Sequence, residues 1–305
     1  MIPLTHSPRS ATRVFLATLA ALLVMFIVGQ LILFGLVQSG GLDLSDLGSL
    51  DLDQGLRQRL RLGLFLNNTL MFAGSAAAGL WFVYRNNWLA SVYLDRGPRD
   101  YSLSYAIGFF VITLPIVAYS AYLNLQISLP EWAVNSEEST DALLAQILRM
   151  ESVPEFVLAF LTIAVSAGLG EELLLRGVLQ NRILGGWLGG NHHVRIWVAA
   201  ALFSAMHIEF AGFLPRLLLG ASLGYAYYWT RSLWVPILLH LAFNGIQVVI
   251  AYVTGEFDPT GVEADVPAWW LVLICVPLAG YIAYAAERKF AGAGEVMGAD
   301  AGAKV

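Results

Sequence analysis

Three short polar motifs interrupt the apolar second half of the chain: "EELLLR" at 171–176, "FSAMH" at 203–207 and "HLAFN" at 240–244. Each contains a pair of residues four apart, which on a helix share one face. The pairs are Glu172 with Arg176, Phe203 with His207, and His240 with Asn244. At 3.6 residues per turn Glu171 is rotated about 100° from Glu172. One carboxylate can therefore pair with Arg176 while the other faces elsewhere. These residue types suit hydrolysis. Apolar surroundings make a carboxylate a usable general base near neutral pH. Glu171 is the candidate that takes a proton from water, with His207 orienting or sharing it. His240 and the Asn244 amide are donors suited to an oxyanion developing on a carbonyl. Arg176 holds Glu172 ionised and fixes the helix face.

Plainer explanations exist for each residue alone. A single buried histidine is usually a packing residue, and Glu172 with Arg176 could be a simple ion pair. The combination is harder to explain that way. Ionisable groups at bilayer depth are costly, face the bundle interior and tend to mark function. Of the five histidines, His6, His192, His193, His207 and His240, only the last two fall in apolar spans. His192 and His193 lie in the Gly-rich connection "GGWLGGNHHVR" and read as a solvated turn rather than a metal site. Ser166, Ser204 and Ser222 read as serines bonded back to helix carbonyls. The chain contains no HExxH, no GxSxG, no Walker loop and no dinucleotide-binding glycine fingerprint.

The elements that must hold these motifs are membrane helices. The chain of 305 residues is 58% hydrophobic and only 13% charged, where a soluble domain carries about 25% charged residues. A net charge of −5 and the lack of a basic stripe argue against nucleic acid. The single cysteine, Cys275, excludes a disulfide framework. A span needs roughly 20 apolar residues. Eight segments qualify as candidates: 14–37, 62–84, 103–124, 154–170 with its helix continuing to about 184, 194–208, 212–230, 234–253 and 267–286. The fold expected is all-α, a polytopic transmembrane helix bundle. The first segment is too long for a signal-peptide core and reads as a retained helix. With the N-terminus inside, 12 of the 17 Lys and Arg fall on the inner side, which favours both termini in the cytosol. Residues 40–62 read as an interfacial segment or a solvated loop. Residues 128–150 read as a turn and then a short surface helix from Ser139 or Thr140. The tail after the last span reads as disordered.

Together the three motifs resemble those of the CPBP family, the type II CAAX prenyl proteases with their bacteriocin-processing and Abi relatives. The family patterns EExxxR, FxxxH and HxxxN stand here in order and with intact spacing. The resemblance implies an intramembrane endopeptidase whose cavity opens to the cytosol. It assigns water activation to Glu171 with His207, oxyanion stabilisation to His240 and Asn244, and support to Glu172 and Arg176. It leaves zinc open, since Glu171, His207 and His240 make a His₂-carboxylate set; metal-free chemistry is the preferred expectation. Three regions follow: a three-span N-terminal region with interfacial loops (1–150), the catalytic core (151–254), and the last span with a cytosolic tail (255–305). The expected partners are membrane lipid and a peptide or membrane-protein substrate. A catalytically silent scaffold or immunity factor, and a proton-coupled transporter, are the alternatives. The absence of internal symmetry between the two halves counts against the transporter.

Overall fold

The computed structural model describes residues 6–41, 52–99, 101–255 and 267–290; these are helices joined by short turns, with no strand among them. The helices are α1 (Pro8–Gln38), α2 (Gln54–Asn68), α3 (Ser75–Tyr84), α4 (Ser102–Leu125), α5 (Glu131–Leu148), α6 (Val153–Trp187), α7 (His192–Met206), α8 (Phe213–Thr230), α9 (Trp234–Thr254) and α10 (Trp269–Phe290). Their boundaries follow local chemistry. Ser7 caps α1 by accepting from the Ser10 amide at 3.2 Å, ahead of Pro8. Asp53 and Asn191 cap α2 and α7 through their side-chain oxygens. Such caps satisfy amides that a helix start leaves without partners. Gly255, at φ +73°, closes α9 in the left-handed region.

Five helices are long and apolar enough to cross a membrane: α1, α4, α6, α9 and α10. The expected count of eight is not confirmed. All eight expected segments are helical, but three are not among these five. The 62–84 segment joins α2 to α3 through a π-helical stretch, Thr69–Gly74, and carries Asn67 and Asn68. Helix α7 has 15 residues, about 22 Å at 1.5 Å per residue, against roughly 30 Å of hydrocarbon. Helix α8 carries Arg216 and is buried along much of its length.

The helices wrap α6. Val14 of α1, Leu80 of α3, Leu174 and Val178 of α6, Tyr227 of α8 and Ile237 of α9 form one buried cluster. Helix α8 lies between α4 and α7, and α10 covers α4. Leu16, Leu23, Leu31, Leu273 and Ile274 project outward from α1 and α10, as lipid-facing residues do.

The start of α6 is pinned by a buried ion cluster that sequence analysis had not found. Glu155 is fully buried and accepts from Arg57 Nε at 3.1 Å and Arg61 Nη1 at 2.9 Å. Arg61 also donates to the carbonyls of Ile147 (2.8 Å) and Arg149 (2.5 Å), supplying donors where α5 ends. Arg57 and Arg61, expected in an interfacial or solvated segment, are thus buried. Helix α5 also begins at Glu131, eight residues before the expected Ser139, because Pro130 and Glu131 start it. The rest of the 40–62 expectation, residues 42–51, and the disordered-tail expectation, residues 291–305, lie outside the described residues.

Candidate active site

Helix α6 carries both glutamates between two π-helical stretches, Leu161–Val165 and Leu173–Ile183. Such departures from α geometry are frequent at functional sites. Three residues before Glu171, α6 meets α9 almost backbone to backbone. A Cβ on Gly168 would lie 3.1 Å from Leu241 Cβ and 3.2 Å from the Ile237 carbonyl oxygen. That approach delivers His240 to the glutamates.

His240 is buried between them. Its Nδ1 lies 2.8 Å from Glu172 Oε1, and its Nε2 lies 3.9 Å from Glu171 Oε2. A carboxylate oxygen only accepts, so Nδ1 carries the proton of the shorter contact. The longer contact exceeds a direct hydrogen bond and is within reach of a shared water. Glu172 Oε1 also accepts from Arg176 Nη1 at 2.6 Å, the pairing expected from their spacing. Glu172 is fully buried, and its second oxygen, Oε2, has no protein partner. The Glu171 side chain is 14% exposed. The two carboxylates are therefore unlike: one is enclosed and doubly bonded, the other opens outward.

Arg176 is held on three sides. Besides Glu172 it donates from Nη2 to the Gly220 carbonyl at 2.8 Å and stacks on the Phe203 ring at 5.3 Å. Phe203 is the hub that links α7 to the cluster. Its ring makes edge contacts with His240 at 6.1 Å and His207 at 5.0 Å. Phe203 fits because Gly220 has no side chain; a Cβ there would stand 2.9 Å from Phe203 Cδ1.

His207 lies at the end of α7 and is exposed. Its Nδ1 donates to the Phe203 carbonyl at 2.9 Å, which leaves Nε2 as the nitrogen for chemistry. Asn244, half-buried one turn beyond His240, donates from Nδ2 to the Ile163 carbonyl in the first π-helical stretch at 3.2 Å. So Glu171, Glu172, Arg176 and His240 form one cluster, His207 joins it through Phe203, and Asn244 flanks it on the face of α9. Gly168 and Gly220 were missed in the sequence, where nothing but a small residue between apolar ones marks them. Phe203 had been noted only for its spacing.

Glu171, His207 and His240 are not gathered as a metal's ligands. Among the described residues, one group of at least three His, Cys, Asp or Glu side chains brings its donor atoms within 4.8 Å of one another: His192, His193 and Glu287. His192 Nε2 is 3.0 Å from Glu287 Oε2, and His193 Nδ1 is 2.8 Å from the Tyr225 hydroxyl. The solvated turn expected at His192 and His193 is thus a contact between α7, α8 and α10.

The helices that hold this cluster coincide with a known family pattern. Residues 153–246 match the family model of type II CAAX prenyl endopeptidase Rce1-like proteins. The Rce1-like segment begins with α6 and ends two residues beyond Asn244, so it contains all three motifs. The Rce1-like family is in general one of proteases, that is, hydrolases. The chain is also similar to the uncharacterized protein YpbD of Bacillus subtilis (strain 168), at 23% identity over 185 residues, covering 59% of this chain and 84% of that protein. No solved structure matches it. The apolar helices and the Rce1-like segment together describe an integral, multi-pass membrane protein.

Proposed function

We propose that the chain is an intramembrane endopeptidase, similar to the CAAX proteases, in which Glu171 activates water. The observation that carries this is His240 set between two unlike carboxylates on the helix of the Rce1-like segment. Glu171 takes a proton from a water placed between it and His240, and the resulting hydroxide attacks the peptide carbonyl carbon. His207, through Nε2, orients that water. The carbonyl oxygen becomes an oxyanion facing His240 and the Asn244 amide. Donation from His240 Nε2 to that oxyanion, beside the Nδ1 bond to Glu172, needs a proton on each ring nitrogen. The carbon–nitrogen bond then breaks, and the proton held by Glu171 passes to the leaving nitrogen. Glu172 and Arg176 position His240 and do not touch substrate. No step is routed through a metal.

We propose that the protein lies in the plasma (inner) membrane; the distribution of Lys and Arg favours both termini in the cytosol. The substrate class is a peptide or membrane protein cut at the bilayer surface.

The test uses purified protein in proteoliposomes with a panel of transmembrane and C-terminal peptides, with and without a prenylated cysteine, read by mass spectrometry. Cleavage that survives a chelator and is absent in Glu171→Gln is expected. Loss of cleavage in chelator that zinc alone restores would move Glu171, His207 and His240 into a metal's coordination sphere. Cleavage unchanged in Glu171→Gln would refute the proposal.

A further inference from the structure

Some ten residues beyond Glu172 along α6, the end of the bundle holds a second polar site that the proposed reaction does not use. It is a cavity of about 640 Å³. Its walls come from His6 and Pro8 at the start of α1, the "GGWLGG" turn that ends α6, the first turns of α7 and the end of α8. The turn is made of glycine because α1 sits directly on it. A Cβ on Gly186 would lie 2.5 Å from Ala11 Cβ, and one on Gly185 would lie 2.9 Å from His6 Nδ1 and 3.1 Å from Arg195 Nη1.

The charge in this cavity is of one sign. Arg195 and Arg231 line it, and among the described residues no Asp or Glu does. Glu287, which contacts the lining residue His192 at 3.0 Å, also accepts from the Trp229 indole. Arg195 Nε and Arg231 Nε are both buried without a hydrogen-bond partner. Leaving charged donors unmatched away from water costs more than an ordinary hydrogen bond returns. These charges also act on His6, second to its packing. Its ring reaches solvent at the rim, yet packing beneath it and the charges of Arg182, Arg195 and Arg231 lower its pKa to about 4. A tyrosine wall, Tyr93 and Tyr228, holds the Arg231 guanidinium between its rings.

The rim points to the source of an anion. Trp187 is exposed there, packs on Phe15 of α1 at 5.3 Å and continues into the outward apolar face of that helix. Tryptophan at the end of a membrane helix marks headgroup depth, and basic pockets between membrane helices suit anionic headgroups. We propose that the cavity binds a phosphate group through Arg195 and Arg231, carried by a membrane phospholipid whose acyl chains lie along α1. The site stands whether or not the chain cleaves peptides.

The experiment uses the full chain, stripped of lipid in detergent, with two probes. One is inorganic phosphate, compared with chloride at equal ionic strength. The other is a phosphatidylcholine nanodisc with or without phosphatidic acid. Melting temperature and native mass spectrometry are the readouts. Stabilisation by phosphatidic acid is expected in the wild type and in Arg288→Gln, with binding about tenfold or more weaker in Arg195→Gln/Arg231→Gln, where charge-assisted bonds are lost. Stabilisation by phosphate as well assigns the site to phosphate of either source; stabilisation by phosphatidic acid alone assigns it to the headgroup. If the double variant does not fold, Arg195→Lys replaces it; this variant keeps the charge but not the planar fork and is expected to bind several-fold more weakly. A wild type that responds to neither probe, or variants that bind phosphatidic acid as the wild type does, would overturn the proposal.

Discussion

His240 donates from Nδ1 to Glu172 at 2.8 Å, and that bond turns its other ring nitrogen toward Glu171. The two adjacent glutamates are thereby given different tasks. Glu171→Ala is expected to abolish cleavage and leave the melting temperature almost unchanged, since its side chain is partly exposed and forms no direct hydrogen bond to His240. Glu172→Ala is expected to lower both, because it frees Arg176 and His240 together. Activity and melting in detergent decide the point. An active Glu171→Ala beside a stable, inactive Glu172→Ala would reverse the assignment.

Arg176→Ala should destabilise more than it alters chemistry. Removing it leaves Glu172 charged, buried and without its strongest partner, a loss of about 3–5 kcal/mol for a buried pair. It also frees the Gly220 carbonyl and the Phe203 ring. Thermal or denaturant unfolding of the variant measures this, and a melting temperature equal to the wild type would show that the pair is not structural.

Gly168→Ala tests the approach of α6 to α9. The added Cβ would press on the backbone of Ile237 and Leu241 at 3.1–3.2 Å. Overpacking of this kind costs about 1–3 kcal/mol, and here the yielding partner is the helix segment that carries His240. Cleavage should fall by tenfold or more, as expected when catalytic groups are misplaced by a fraction of an ångström, while the fold is retained. Wild-type activity in this variant would mean that the spacing of the two helices is not critical.

His6 makes stability depend on pH. Its folded pKa of about 4 lies below the ordinary 6.5, with burial the leading cause and Arg182, Arg195 and Arg231 adding to it. Between those values the unfolded chain binds more protons than the folded one, so stability rises with pH. The contribution is complete above about 6.5 and is lost as pH falls toward 4. Melting curves at pH 7 and pH 5 should differ less in His6→Gln than in the wild type.

Much of this architecture was legible in the sequence because the helices are apolar and bounded by polar loops. All eight expected segments are helical, and Arg176 pairs with Glu172 as the four-residue spacing requires. What was illegible depends on distant contacts. The burial of Arg57 and Arg61 rests on Glu155, about a hundred residues away, and composition alone suggested a solvated or interfacial segment. The roles of Gly168 and Gly220 are steric and exist only once α9 and Phe203 are in place. His192 and His193 looked like turn residues because Glu287 and Tyr225 reach them from other helices. The five crossing candidates are set apart from the other three segments by the length of α7, the asparagines of 62–84 and Arg216 in α8.

Topology offers a separate check. An odd number of crossings puts the termini on opposite sides of the membrane, and an even number puts them on the same side. The proposed cytosolic placement of both termini requires that an odd number of the three remaining helical segments cross as well. Reporters fused at each end should both read as cytosolic. A C-terminal reporter outside would fit the five crossing helices alone.

The central claim is that Glu171 drives peptide-bond hydrolysis in the membrane. The most direct measurement compares newly formed protein termini in membranes of cells carrying the wild type or Glu171→Gln at equal expression, using mass spectrometry of enriched termini. The account predicts a set of termini, mapping to membrane-proximal segments, that the wild type forms and the variant does not. The same termini at the same abundance in both would contradict it.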